Sequence, residues 1–369
     1  MLLHGIFTPI TTPFYPDGKI YFRKLEQNVE QYSRAPIAGI VVQGSTGEAV
    51  FLSDDEKRDV MKSVREAAAN DKVLIAGTGI ESAIETLRLT EYAAELGYDV
   101  AMVRTPHYFK GQMAQPENML AFYRFVCDRS PLPVIIYNFP QATGYDMPVE
   151  VVLELAEHPK LVGIKESSGS IEKVKKMVEG TRHVKRSTTV TDTFAAVTGR
   201  MLKAASAATA SADVGELVSV GALAGTAAET GSLTSPRAKA SSSAVTMVGG
   251  MKTRQKEVGF QVMVGAAQKL HPSLEAGAVG AILAFADCAP TACYEIYAAW
   301  KEGDAALARE KQERIAQAAQ RIVGELSIPA VKYAMDYNGY YGGPVRLPLL
   351  PLTAEKKAEV ERLLEGVRN

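Results

Sequence analysis

The segment "LVGIKESSG" (161–169) reads as a buried strand, yet its fifth residue is Lys165. Lysine is among the residues least often fully buried. A free lysine amine has a pKa of about 10.4 and is almost wholly protonated at neutral pH. A desolvated site disfavours the charge, lowers that pKa and frees the amine as a nucleophile. Such an amine can attack a 2-oxo acid and form an iminium. The iminium draws electrons from the adjacent carbon, where a C–C bond can then form or break. The competing readings are a side chain that snorkels to solvent or one that pairs with a carboxylate such as Glu166.

Two further stretches carry residue types that would serve this chemistry. "VIIYNFP" (134–140) holds Tyr137, a phenol able to shuttle protons for an iminium or an aldol oxygen. It reads equally as a buried tyrosine with a satisfied hydroxyl. "GSTGE" (44–48) places Ser45, Thr46 and Gly47 in a turn whose backbone N–H groups can hold a carboxylate. Two glycines also simply mark a tight turn. Each signal is weak alone, and together they outline a site for a small 2-oxo acid.

The elements that must position these residues are legible from hydrophobic patterning. Short apolar runs recur at "GIFTPITTPF" (5–14), "GIVVQGSTGE" (39–48), "VLIAGTG" (73–79) and "VAMVRTP" (100–106). They continue at "VIIYNFP" (134–140), "LVGIKES" (161–167), "FQVMVGA" (260–266) and "AVGAILAFA" (278–286). Near-continuous apolar runs suit parallel strands buried on both faces. Between most of them lies an amphipathic helical pattern. In "SDDEKRDVMKSVREAAA", Ser53 can cap the start, acids fill the first turn, and Val60, Met61 and Val64 form the apolar stripe. Strands alternating with helices in this number predict an α/β fold, a (β/α)8 TIM barrel. In that fold the chemistry sits at the C-terminal strand ends. Those ends carry Ser45, Thr46, Tyr137 and Lys165, with Thr105, Pro106, His107 and Tyr108 ending the fourth strand and Gly265 the seventh. Arg104 is out of place in an apolar strand, and reads either as a carboxylate ligand or as half of a structural ion pair.

The spacing breaks once. Residues 183–257 are rich in Ala, Ser, Thr and Gly, and Phe194 is their only aromatic residue. The expected division is a barrel over 1–300, interrupted by this 183–257 insertion, and a helical region over 301–369. The insertion reads as a flexible or loosely helical segment, or as a small arm that packs on a neighbouring subunit. "RSTTVTDTFAAVTGRMLKAA" permits some ordered structure within it. By barrel order it follows the sixth helix, leaves from the face opposite the site and carries no catalytic residue.

Composition narrows the function classes. A net charge of −1 gives no general attraction to nucleic acid or to acidic membranes. Three scattered cysteines suit a reducing compartment, and no stretch reads as a signal peptide or a membrane span, so a cytoplasmic location is expected. The five histidines lack metal-ligand spacing, so no metal is expected. "VGAAQKL" and "AFADCAP" lack the glycine-rich phosphate loop of phosphate-binding barrels.

At "GSTGE", "TPHY", "YNFP", "GIKESSG" and "GAVGAI" the sequence resembles the dihydrodipicolinate synthase / N-acetylneuraminate lyase family of class I pyruvate-dependent aldolases. The resemblance runs from Gly5 to Asn369 except for the insertion. It implies that Lys165 forms a Schiff base with pyruvate and needs no further cofactor. It implies that Tyr137 is the general acid/base and that Ser45 belongs to its proton relay. Thr46 and its backbone N–H match the pyruvate carboxylate site, Ile282 matches a position whose carbonyl faces pyruvate, and Ser45, Gly47 and Gly265 complete the substrate-binding set. Tyr108 matches a tyrosine that crosses into the adjacent subunit's site, and the family is usually a homotetramer. The implied partners are pyruvate, an aldehyde and further copies of the chain. One departure concerns Ala142, which stands where synthases of this family carry an arginine for the aldehyde's carboxylate. A second is His107, where the lysine-regulated branch often has a tyrosine. "IAGTGIES", "AMVRTPHYFKGQM" and "IPAVKYAMDYNGYYGGPVRLPL" look closer to 4-hydroxy-2-oxoglutarate aldolases. The leading expectation is therefore cleavage or formation of a 4-hydroxy-2-oxo acid. Dihydrodipicolinate synthesis is the alternative, sugar-acid dehydration a third, and a catalytically silent oxo-acid-binding barrel a reading of another class.

Overall fold

The computed structural model describes residues 1–213, 245–248 and 250–367. All eight apolar runs form strands. The first six are β1 (Gly5–Pro9), β2 (Gly39–Val42), β3 (Val73–Gly77), β4 (Val100–Arg104), β5 (Val134–Asn138) and β6 (Leu161–Glu166). Three strands of the insertion follow: β7 (Arg186–Thr191), β8 (Thr246–Val248) and β9 (Met251–Val258). The last two runs are β10 (Gln261–Val264) and β11 (Gly280–Ile282). The order β1-β11-β10-β6-β5-β4-β3-β2 closes a barrel in which all eight neighbouring pairs are parallel.

Successive strand residues point to opposite faces, so each apolar run splits into two packing layers. Phe7, Val41, Ile75, Met102, Ile135 and Met263 fill the lumen. Ile6, Ile40, Leu74, Val103, Ile136 and Ile164 pack into the outer core with the helices. The surrounding helices form where their patterns require. Asp54–Ala67 starts on a capping box between Ser53 and Glu56, carries three acids in its first turn, and buries Val60, Met61 and Val64. A register shift between Val134 and Ile135 sets the sixth strand's phase. It pairs Ile135 with Gly163 and Tyr137 with Lys165, which turns Lys165 inward.

The described part of the insertion corrects the expectation of a flexible or loosely helical segment. β7, β9 and β8 form an antiparallel sheet in that order, followed in space by the helix Gly199–Asp213. The β-branched residues of "RSTTVT" account for the strand, with Thr188 and Val190 buried on one face and Thr189 and Thr191 only partly covered on the other. This sheet packs beneath the chain's own barrel. Val190 and Val258 meet Leu2 in a small apolar cluster, and the Arg186 guanidinium donates to the Ala156 and His158 carbonyls at 2.6 and 3.0 Å. Arg200 enters the outer core and pairs with Asp99 at 3.0 Å, both side chains being less than 5% exposed. It also donates to the carbonyls of Gly97 and Lys72. These contacts lie at the N-terminal strand ends, opposite the mouth, as barrel order requires. Residues 214–244 of the Ala/Ser/Thr/Gly-rich run lie outside the described residues.

The C-terminal region is helical, with Ala305–Ala319 continuing as a wider π turn through Gln320–Glu325, then Ser327–Tyr337 and Ala354–Leu363. Among the described residues no helix is long and apolar enough to cross a membrane.

Breaking a buried ion pair on one side strands the other charge, at a cost of about 3–5 kcal/mol. Arg200→Met should therefore lower the urea midpoint strongly. Adding Asp99→Leu should restore most of the loss. A single variant as stable as the parent would show that the pair does not anchor the insertion.

Candidate active site

Lys165 stands at the upper end of the lumen, between Tyr137 on β5 and Met263 on β10. Its side chain is 5% exposed. The amine lies over the Tyr137 ring, 4.2 Å from the centroid. Burial disfavours the ammonium and lowers its pKa to about 7, against a weaker opposing pull from Asp287. The two competing readings of this lysine do not fit. The side chain does not snorkel, and it does not pair with Glu166. The Glu166 carboxylate faces outward, accepting from the Ser168 N–H at 2.7 Å and the Asn138 amide at 2.9 Å, with the Lys173 amine 3.4 Å away.

Tyr137 is 4% exposed and stacks on Phe139. Its hydroxyl lies 3.2 Å from Ser45 Oγ. Burial pushes the phenol up to about 12, opposed by the Ser45 hydrogen bond and then by the charge of Arg104. A protonated phenol next to a neutral amine is the arrangement that carbonyl addition and dehydration need. Ser45 and Tyr137 also line a cavity of about 320 Å³ with Gln43, Met102, Arg104 and Tyr108. Tyr108 sits at its outer rim, 76% exposed, and within one chain it forms no hydrogen bond to Ser45 or Tyr137.

The "GSTGE" turn is a short 3-10 helix, Ser45–Gly47, with Thr46 and Gly47 buried. The first N–H groups of a helical turn have no partner within it, which leaves those of Ser45 and Thr46 free to meet an anion. Two features outside the turn fix its position. Thr12 Oγ1 donates to the Gly47 carbonyl at 2.7 Å. Glu48 follows in the left-handed region, φ 54°, its carboxylate fully buried against the Lys332 amine at 2.5 Å. Lys332 donates to the Thr12 and Pro344 carbonyls at 2.9 and 2.8 Å, and the Arg346 N–H donates to Glu48 at 2.8 Å. The long "IPAVKYAMDYNGYYGGPVRLPL" stretch thus acts as a strap that holds the turn in place.

Gly265 directly follows β10, and Ile282 ends β11 fully buried, on the two strands that follow β6 around the barrel. Gly265 is required by space, since a Cβ there would lie 2.1 Å from Ser167 Oγ and 3.4 Å from Lys165 Cε. Two polar groups escaped the sequence reading. Ser167 Oγ is buried beside Gly265 without a hydrogen-bond partner. Asp287 is fully buried, and neither carboxyl oxygen has a hydrogen-bond donor. Burial raises its pKa well above the carboxylate range, with Lys165 opposing. The clue for Asp287 was an acid inside the apolar run "AILAFADCAP". It matches the anomaly that singled out Lys165.

A closed parallel barrel with a buried lysine of lowered pKa beside a protonated phenol at its mouth has the architecture of a class I aldolase. The chain belongs to the dihydrodipicolinate synthetase family, whose profile matches residues 2–207 and 238–367. It is 27% identical over 363 residues to the 4-hydroxy-tetrahydrodipicolinate synthase of Methanothrix thermoacetophila, covering 98% of this chain and 96% of that one. It is 40% identical over 178 residues to the synthase of Xanthomonas campestris, covering 48% of this chain and 58% of that one. Its structure superposes on the pyruvate complex of the dihydrodipicolinate synthase from Acinetobacter baumannii with a TM-score of 0.74 and 25% identity, covering 99% and 100% of the two chains. A dihydrodipicolinate synthase from Bacillus anthracis shares the fold, with a TM-score of 0.74, 22% identity and 99% of each chain covered. The chain is a member of a family of carbon–carbon lyases.

The burial of Lys165 has a thermodynamic signature. The unfolded lysine holds its proton up to its usual 10.5, whereas the folded one releases it near 7. Between these values the unfolded state binds more protons, so stability rises with pH. The penalty is fully present below about 7 and fades toward 10.5. Lys165→Met should therefore be more stable than the parent at neutral pH. Urea midpoints should converge as pH rises from 7 to 10, and a pH-independent gap would contradict the lowered pKa.

Proposed function

We propose that the protein is a pyruvate-dependent aldolase in which Lys165 is the Schiff-base residue. The observation that carries this reading is the buried Lys165 amine over the ring of Tyr137, whose hydroxyl contacts Ser45. The neutral amine adds to C2 of pyruvate, and Tyr137 supplies the proton that lets the carbinolamine lose water. The resulting iminium withdraws electrons, so a methyl proton leaves and an enamine forms. The enamine carbon attacks an aldehyde carbonyl, and the new alkoxide takes a proton through Tyr137 and Ser45. Water then releases the product and restores the amine. Cleavage is the same sequence reversed. The Thr46 and Gly47 turn holds the pyruvate carboxylate, flanked by Gly265 and the Ile282 carbonyl.

The relatives named above favour condensation with aspartate semialdehyde, the reaction of a 4-hydroxy-tetrahydrodipicolinate synthase. One observation favours a second reading, cleavage of a 4-hydroxy-2-oxo acid such as 4-hydroxy-2-oxoglutarate. Ala142, exposed in the helical turn Pro140–Thr143, offers no cation for the semialdehyde's carboxylate. Assaying purified protein with pyruvate plus aspartate semialdehyde, and with 4-hydroxy-2-oxoglutarate, separates the two by kcat/KM. The exposed Tyr108–Phe109 pair at the cavity rim supports assembly with further copies, as in a homotetramer.

Borohydride reduction in the presence of pyruvate should leave a stable adduct on Lys165, read by peptide mass. Lys165→Ala should abolish both adduct and turnover while the fold persists; an adduct elsewhere would reject the assignment. Tyr137→Phe should slow turnover by about 10²–10⁴-fold, with a much smaller effect on the pyruvate concentration needed for trapping. Near-normal turnover would remove Tyr137 from the proton path.

A further inference from the structure

Arg104 is the residue in the site that the chemistry above leaves without a task. On β4, Val100 and Met102 point into the lumen, and strand alternation sends Arg104 the same way. Its backbone is paired with Tyr137 on β5. The side chain is 19% exposed and lines the same cavity as Ser45 and Tyr137. It lies close enough for its charge to act on the Tyr137 phenol.

A guanidinium keeps its charge, so a largely enclosed one calls for a matching acceptor. Arg104 has no close one. Its Nε is buried with no hydrogen-bond partner. Among the described residues its only ionic contact is a long one, 3.5 Å from Nη2 to Glu81 Oε1. Glu81 is mainly engaged in shaping the loop after β4. Oε2 accepts from the His107 and Tyr108 N–H groups at 2.8 and 3.0 Å, and Oε1 is 2.7 Å from His107 Nδ1. The other basic side chains lining the cavity do not compete. Lys57 pairs with Asp54 at 2.9 Å, and His107 is held by Glu81.

We infer that Arg104 binds a carboxylate carried by the aldehyde partner and so selects acidic aldehydes. The guanidinium fork suits a two-oxygen acceptor. It enters from β4, on the Tyr137 side of the mouth, where the attacked carbonyl must sit to exchange its proton. Ala142 leaves that role open from the β5 side. The inference rests on the Schiff-base reading above, and it holds for either aldehyde considered there, since both are acids.

The test uses two five-carbon 2-oxo acids that differ only at the far end, 2-oxoglutarate and 2-oxopentanoate, trapped on the full-length protein with borohydride. Half-saturating concentrations are read from intact mass. The parent should prefer 2-oxoglutarate, and Arg104→Met should reduce that preference by about ten- to a hundredfold. Arg104→Lys should retain part of it. A parent with no preference would overturn the inference. So would a preference unchanged in Arg104→Met, or a loss shared equally by both acids, as a purely structural ion pair with Glu81 predicts. Absence of any pyruvate adduct in the parent would instead sink the Schiff-base reading itself.

Discussion

An eight-stranded parallel barrel has a lumen just wide enough for side chains, and the exclusion of water from it governs the ionisation of groups at its mouth. Lys165 is buried over the Tyr137 ring, and desolvation outweighs the pull of Asp287, so its amine tends toward the neutral form. The same dryness keeps Tyr137 protonated and drives Asp287 toward the neutral acid. Desolvation thus acts on an amine, a phenol and a carboxyl in the direction carbonyl chemistry requires. Packing maintains it from below. Met102, Ile135 and Met263 close the lumen under the site, while Gly265 leaves the room the lysine arm occupies.

The turn that faces this amine needs a different support, because a short turn has little burial of its own. Glu48 sits in a left-handed conformation that disfavours L-residues, at a cost of about 1–3 kcal/mol. Its burial against Lys332, with carbonyls completing the lysine's contacts, holds that conformation in place. Arg346 ties the same strap to the start of the helix Asp54–Ala67 through Glu56, at 2.7 Å. Residues almost three hundred positions apart in the chain therefore fix the geometry of Ser45 and Thr46. The C-terminal helices are part of the site's framework, and the strongly patterned stretch around Lys332 is explained by this contact.

The barrel was legible because all its strands are buried on both faces, which writes them as uninterrupted apolar runs. Lys165 stood out against that background, and Tyr137 and Ser45 followed from strand order. Asp287 did not emerge, because the final run was read for phosphate-loop glycines and its one acid was passed over. Glu166 appeared as a partner for Lys165 only while strand alternation was left out. Neighbours in sequence on a strand face opposite sides, and Glu166 belongs to the outer shell with Lys173. The ordered sheet in the insertion was hidden for another reason. The Thr- and Val-rich β7 is half-exposed structure that packs on the barrel floor, a long-range contact that composition does not encode.

The two cations at the mouth respond to the same surroundings in opposite ways. A lysine escapes the cost of burial by losing its proton, and the loss is what makes it reactive. An arginine has no such escape. Its charge must be met by an acceptor of suitable shape, and the nearest one, Glu81, stands at 3.5 Å with its oxygens committed to the His107–Tyr108 loop. Had the strand required only an ion pair for stability, a closer bidentate contact would cost nothing further. A fixed charge held loosely beside a protonated phenol is better accounted for by an acid that arrives with the substrate.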